Sequence, residues 1–350
     1  MNSRYKAAIA ALCLCIAMAG CGTSDKTSNS DTTSGSSQTS VSGDSQTSSS
    51  GKETDTSESV PNDNADGDIT EYTLSENDTA EQIADKLEKK YGIDIVYGED
   101  IRTRFDEHGE DLRAEKYTDE SGIKTAMMSV DEALGIFPHG LTKQLTSEDK
   151  SPLRIYLTGA VSQGDNAAES GGFPAFTDNE DKERYLTIDI SLNGEINVPT
   201  VCHELTHIID FTLHDMGAFD DSKWDSLNPE GFSYTEDYEN YRSSKFADEY
   251  SYTSEHYAAR TQSQSADDVY FYYNYSLVNA YEDRATLMED LIVYQMWDYE
   301  IAPDIYSCPH IYDKAKYFLD CIKSAFELGD DDAKKWEDTL DKLSSGGVEN

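Results

Sequence analysis

A chain of 350 residues with 69 acidic against 28 basic side chains carries a formal net charge of −41. Without a Lys/Arg-rich patch to meet phosphates, that balance excludes nucleic acid as a partner and reads as a solvated acidic surface. The length permits one large domain or two small ones. Three cysteines in the folded part, Cys202, Cys308 and Cys321, cannot form a disulfide framework and leave one bridge to consider, Cys308 to Cys321.

Arg4 and Lys6 precede an apolar run from Ala7 to Ala19, too short to span a bilayer and ending in small residues. This reads as a secretion signal over residues 1–20. Its end, Met18-Ala19-Gly20-Cys21, resembles a bacterial lipobox. The resemblance implies that Cys21 becomes a lipid-modified first residue, anchoring the chain to the outer face of the bacterial cytoplasmic membrane. Residues 21–67, dominated by Ser, Thr, Gly, Asp and Asn, have too little apolar surface to offset the entropy of folding and are expected to form a disordered tether. Residues 68–344 are long enough for a substantial core.

Within that part, Thr79-Ala80-Glu81-Gln82 has capping-box spacing and predicts a helix that stops at Gly92. Ile93 to Tyr97 reads as a short strand. Ser129-Val130-Asp131-Glu132 has capping-box spacing too and predicts a helix start before Ala133. Arg154 to Val161 is β-like, Gly171-Gly172-Phe173-Pro174 is turn-like, and Tyr185 to Leu192 alternates apolar with polar residues, which predicts one buried and one wet face. The turn pair Asn193-Gly194 ends that strand. Pro199 suits a first helical turn, and Val198 to about Met216 has a helical pattern. After Asn228-Pro229-Glu230-Gly231 comes a Tyr-rich polar region to Tyr281, then helical patterns over Glu282–Tyr299, Ile311–Leu328 and Asp332–Leu343. Strands early and helices late predict an α+β domain with an N-terminal mixed α/β lobe and a mainly helical C-terminal lobe.

The segment His203-Glu204-Leu205-Thr206-His207 lies on the predicted 198–216 helix. Its two histidines are one turn apart and face the same way, so both imidazoles can share one tetrahedral Zn2+. Glu204 can then reach a metal-activated water as general base without being a ligand. A third protein ligand must come from elsewhere. His214 is one candidate. A metzincin pattern requires Gly and His where this chain has Asp210 and Leu213, and the Asn-Glu-Ala motif of thermolysin is missing after His207. Asp210 shares the helical face of the histidines, positioned for a contact behind the metal or for solvation. His108, His139, His256 and His310 have no partner pattern and read as surface residues.

Further on, Phe271-Tyr272-Tyr273-Asn274-Tyr275-Ser276 followed by Glu282-Asp283-Arg284-Ala285 resembles a motif of gluzincins related to anthrax lethal factor and the Pro-Pro endopeptidases. That resemblance implies a zincin-like metallopeptidase domain in which Glu282 is the third zinc ligand and Tyr275 donates to the oxyanion. The chain departs from the group in two respects. Thr286 stands where members often have Glu, and the interval from His207 to Glu282 is long. Glu289, two turns past Glu282, therefore rivals it as ligand, and Tyr250 rivals Tyr275. Zincins receive peptide as an extra strand on a sheet edge, a role open to the Tyr185–Leu192 strand.

These readings lead to the expectation of a lipid-anchored, cell-surface zinc metallopeptidase acting on a peptide or protein substrate. The competing expectation is a surface lipoprotein that binds peptide or carbohydrate, with a structural metal or none.

Overall fold

The computed structural model describes residues 72–107, 110–138, 140–147, 149–163, 173–176, 183–196, 198–237, 240–244, 246, 250–253, 265–289 and 307–328, and scattered positions between 334 and 345. The signal segment, Cys21 and the tether lie outside the described residues, as do His108, His139, His256 and the C-terminal half of the predicted Glu282–Tyr299 helix. Among the described residues no helix is long and apolar enough to cross a membrane.

In chain order the elements are α1 (Ala80–Tyr91), β1 (Ile93–Tyr97), β2 (Arg104–Glu107), β3 (Glu110–Ala114), α2 (Glu120–Leu134), β4 (Leu153–Thr158), β5 (Val161–Gln163), β6 (Phe173–Phe176), β7 (Arg184–Asp189), α3 (Val198–Asp215), α4 (Asp221–Asp225), β8 (Ser251–Thr253), β9 (Phe271–Tyr273), α5 (Ala280–Met288) and α6 (Pro309–Ala325). The fold is mixed α/β, with the larger sheets early and helices later, compatible with the α+β expectation. The main sheet has the order β1-β4-β7-β6, with β1, β4 and β7 parallel and β6 antiparallel to β7. β2, β3 and β5 form an antiparallel second sheet, and β8 pairs with β9.

The Thr79 capping box forms as expected: Thr79 Oγ1 accepts from Gln82 N–H, and the Gln82 side chain accepts from Thr79 N–H. The second box does not start a helix. α2 begins ten residues earlier, where the Asp119 carboxylate accepts from Gly122 N–H at 2.8 Å. Ser129 lies inside that helix and its hydroxyl bonds back to the Thr125 carbonyl. An acceptor at the true start satisfies an orphan N–H, whereas a mid-helix Ser has none to satisfy.

β7 differs from its predicted pattern on both counts. Tyr185, Leu186, Thr187 and Ile188 are all buried, because β7 is an inner strand. Leu186 and Ile188 join Ile155, Leu157 and the helices in the main core. Tyr185 joins Phe105, Tyr156 and Val161 in a second core on the other face. The Arg102 guanidinium covers that face at 4.4, 4.9 and 4.6 Å from the Phe105, Tyr156 and Tyr185 rings and pairs with Glu183 at 2.9 Å. Parallel strands are commonly buried on both faces, and polar positions such as Thr187 then face protein rather than water. β6 is an edge strand of the main sheet, opposite β1, so Phe173-Pro174 is strand and not turn. Arg154 to Val161 likewise divides into β4 and β5, which belong to different sheets.

The chain turns from β7 into α3 through Asn193 (φ 58°) and Gly194 (φ 82°). Here glycine is needed twice over. The positive φ disfavours a side chain, and a Cβ at Gly194 would come within 1.9 Å of the Gly122 carbonyl oxygen on α2. Gly217 also has positive φ (64°), with nothing within 4 Å of its Cβ position. Gly217→Ala is expected to cost about 1 kcal/mol from backbone strain alone, and Gly194→Ala distinctly more, since α2 must also move. Urea unfolding of the two variants beside wild type measures the difference.

Candidate metal centre

α3 is buried on every side from Val198 to Leu213. Pro199 occupies its first turn, where a missing N–H costs nothing. The helix is tied to β7 by Arg184, which donates to the Thr212 hydroxyl and pairs with Asp215 at 2.6 Å. Because the helix is enclosed, its polar residues must find partners in protein. His203 is 5%, Glu204 2%, His207 1% and Asp210 0% exposed.

Those partners come from α5. Asn279 caps it, its Oδ1 accepting from the Tyr281 and Glu282 N–H groups. Three consecutive charged residues follow, all buried. At about 100° per residue they point in three directions, and each meets a different partner. Glu282 Oε2 lies 3.0 Å from His203 Nε2 and 3.6 Å from His207 Nε2. Asp283 Oδ2 accepts from Lys314 Nζ on α6 at 2.7 Å and from the Tyr234 hydroxyl at 2.9 Å. Arg284 Nε donates to Asp210 Oδ2 on α3 at 2.6 Å. The two Nη atoms of Arg284 have no hydrogen-bond partner among the described residues. The guanidinium instead lies over Phe219, Tyr281 and Trp224 at 4.6, 4.9 and 5.3 Å, a cation–π environment.

One ligand atom each from His203, His207 and Glu282 lies within 4.8 Å of the others, and all three residues are buried. The group can hold a metal ion. Tetrahedral zinc with bonds of 2.0–2.1 Å separates its ligands by about 3.3 Å, and the carboxylate–imidazole separations of 3.0 and 3.6 Å bracket that value. The donor chemistry agrees as well. His203 lies between two carboxylates, since Glu289 Oε2 is 2.9 Å from its Nδ1. A neutral ring has a single N–H to give, so two acceptors around it require either an imidazolium or a cation shared between Nε2 and Glu282. In the metal-free chain, burial works against the charged ring. The hydrogen bonds to Glu282 and Glu289 outweigh it and raise the His203 pKa well above the usual value. Burial lowers that of His207. Among the described residues Glu204 Oε2 and His207 Nδ1 are buried without hydrogen-bond partners, and burial raises the Glu204 carboxyl well above its ordinary range.

Of the rival pairs, Glu282 joins both histidines, while Glu289 meets only the far side of His203. The Tyr275 ring lies 6.3 Å from that of His203, packed edge-on against Tyr241. Tyr250 packs instead against Phe246 and Tyr270. His214 is occupied elsewhere: Nδ1 is 2.8 Å from the Asp210 carbonyl and Nε2 3.0 Å from Asp221. Asp210 is not solvated: it is buried and paired with Arg284. Cys308 and Cys321 are both buried and are not joined to each other. They sit at the start of α6 and four turns along it, about 20 Å apart at 1.5 Å per residue, so the bridge between them is excluded. His310 is half-buried, stacked on Tyr270 at 3.7 Å. Sequence reasoning missed Arg284 and Lys314. The signal available was the run Glu282-Asp283-Arg284 itself, which a helix turns in three directions.

Burial raises the Asp283 pKa and lowers that of Lys314 despite their mutual attraction, as expected of a pair whose desolvation nearly offsets its Coulomb energy. Removing one partner is the costly change. Lys314→Met is expected to destabilise the chain by about 3–5 kcal/mol in urea unfolding.

His214 adds a pH dependence. Burial lowers its pKa, but hydrogen bonds to Asp210 and Asp221 outweigh this and raise it to about 9. A raised folded pKa contributes stability fully present below the unfolded value of about 6.5 and lost as pH rises through 9. The full shift corresponds to on the order of 3 kcal/mol. Unfolding free energies at pH 6 and pH 10 should therefore differ more for wild type than for His214→Gln.

No protein-family model, curated protein or solved structure matches the chain.

Proposed function

We propose that the chain is a zinc-dependent metallopeptidase of the gluzincin kind, with a zincin-like domain carried on a lipid anchor at Cys21 on the outer face of the cytoplasmic membrane. The observation that carries this reading is the buried convergence of His203, His207 and Glu282 beside the unpartnered carboxylate oxygen of Glu204. The likeness of the Tyr275 and Glu282-Asp283-Arg284 segments to that group supports it.

His203, His207 and Glu282 are the residues that would hold Zn2+, a two-imidazole, one-carboxylate donor set of the kind catalytic zinc takes. Bound there, zinc supplies Lewis acidity that lowers the pKa of water to about 7 and polarises a peptide carbonyl. Glu204 takes a proton from the attacking water as the oxygen–carbon bond forms, and returns it to the departing amine as the carbon–nitrogen bond breaks. The Tyr275 hydroxyl donates to the oxyanion that develops on the carbonyl oxygen. The substrate lies extended along β6, the edge strand antiparallel to β7, its backbone extending the sheet.

Metal analysis of the purified full chain, combined with a peptide-library digest, tests the reading. Wild type should bind zinc and cleave peptides, and a chelator should stop it. Glu204→Gln should lower kcat by about 10²–10⁴-fold with zinc content unchanged. Cleavage that survives in Glu204→Gln overturns the mechanism. A chain that binds peptide or carbohydrate without cleaving it favours the surface-binding lipoprotein instead.

A further inference from the structure

The two histidines of the centre are held differently. His203 has a carboxylate at each ring nitrogen, Glu282 Oε2 at 3.0 Å from Nε2 and Glu289 Oε2 at 2.9 Å from Nδ1. His207 faces Glu282 through Nε2, but its Nδ1 is buried without a hydrogen-bond partner among the described residues. Glu289 follows α5 directly, and its N–H closes the last turn onto the Ala285 and Thr286 carbonyls. Its side chain is only 18% exposed, so this carboxylate is held in one direction. Glu282 and Glu289 are seven residues, about two turns, apart on one face of the helix. They therefore reach opposite sides of a single imidazole.

We infer that Glu289 is the positioning residue of the metal centre, holding His203 in the tautomer with its proton on Nδ1, while Glu282 is the third ligand. The inference rests on the metal-site reading above. Both carboxylates only accept, so once a cation takes the Nε2 lone pair on the side of Glu282 and His207, the single N–H of His203 is on Nδ1 and is given to Glu289. The same hydrogen bond fixes the plane of the ring and makes Nε2 a better donor to a metal. Among the described residues no side chain does this for His207, so Glu289 acts on the His203 ring alone.

The test is zinc affinity of the full chain at neutral pH, measured by competition with a chromogenic chelator for wild type, His203→Ala, Glu282→Ala, Glu289→Gln and Glu289→Ala. Imidazole nitrogen NMR of the zinc-loaded wild type accompanies it. Zinc binding abolished by His203→Ala and Glu282→Ala, and weakened about 10–100-fold by Glu289→Gln, supports the inference. A zinc-bound Nδ1 on His203 in the wild-type spectrum overturns the inference, and that reading requires no substitution, so it holds even if a variant fails to fold. Binding lost in Glu282→Ala but unchanged in Glu289→Gln overturns the positioning role alone and leaves the metal centre standing. Binding lost in Glu289→Ala and kept in Glu282→Ala makes Glu289 a ligand and also overturns it. Zinc affinity indifferent to His203→Ala removes the metal centre itself.

Discussion

The metal centre is assembled from two helices far apart in the chain, and the buried pairing of Asp210 with Arg284 holds them in register. α3 can align His203 and His207 by itself, since a single turn separates them. It cannot supply the third carboxylate. That group comes from α5, and it is useful only if α5 has one rotation and one height against α3. A salt bridge with both partners at most 1% exposed imposes such a requirement, because any other rotation leaves a charge buried and alone. Asp283 with Lys314 and Tyr234 does the same toward α6 and the Tyr-rich region. Glu282 is thus followed in sequence by two residues whose partners fix the helix that carries it.

The enclosure of α3 makes these polar contacts strong. Electrostatic interactions grow as water is excluded, and the helix is covered by α2, α5, α6 and the main sheet. That same enclosure explains why the Glu204 carboxyl titrates far from its usual range. The sheet contributes by being closed on both faces. One face packs on the helices and the other on the small antiparallel sheet, with Arg102 held among three aromatic rings. A rigid platform under α3 limits how far the two imidazoles can move relative to α5.

Much of the local structure was legible from residues alone. The Thr79 capping box, the strand after Gly92, the Asn193-Gly194 turn and the helix through His203 are all set by neighbours within a few positions. Reading failed where distant packing decided. Ser129 has the spacing of a helix start, but Asp119 had already begun that helix. β7 alternates in sequence as a half-wet strand, yet two cores cover it, and its edge position passes to β6. Cys308 and Cys321 were free to be paired on paper until α6 held them apart.

At the centre the division is clear. Sequence alone determined that His203 and His207 share a face with Glu204 beside them, because a helix of 3.6 residues per turn leaves no other arrangement. It also marked Glu282 and Glu289 as two carboxylates on one later helical face, without separating them. Only the tertiary structure assigned Glu282 to the side of His203 shared with His207, and Glu289 to the far nitrogen. The reason is physical: periodicity specifies which residues point together along one helix, whereas the height of one helix against another is set by the buried ion pairs between them.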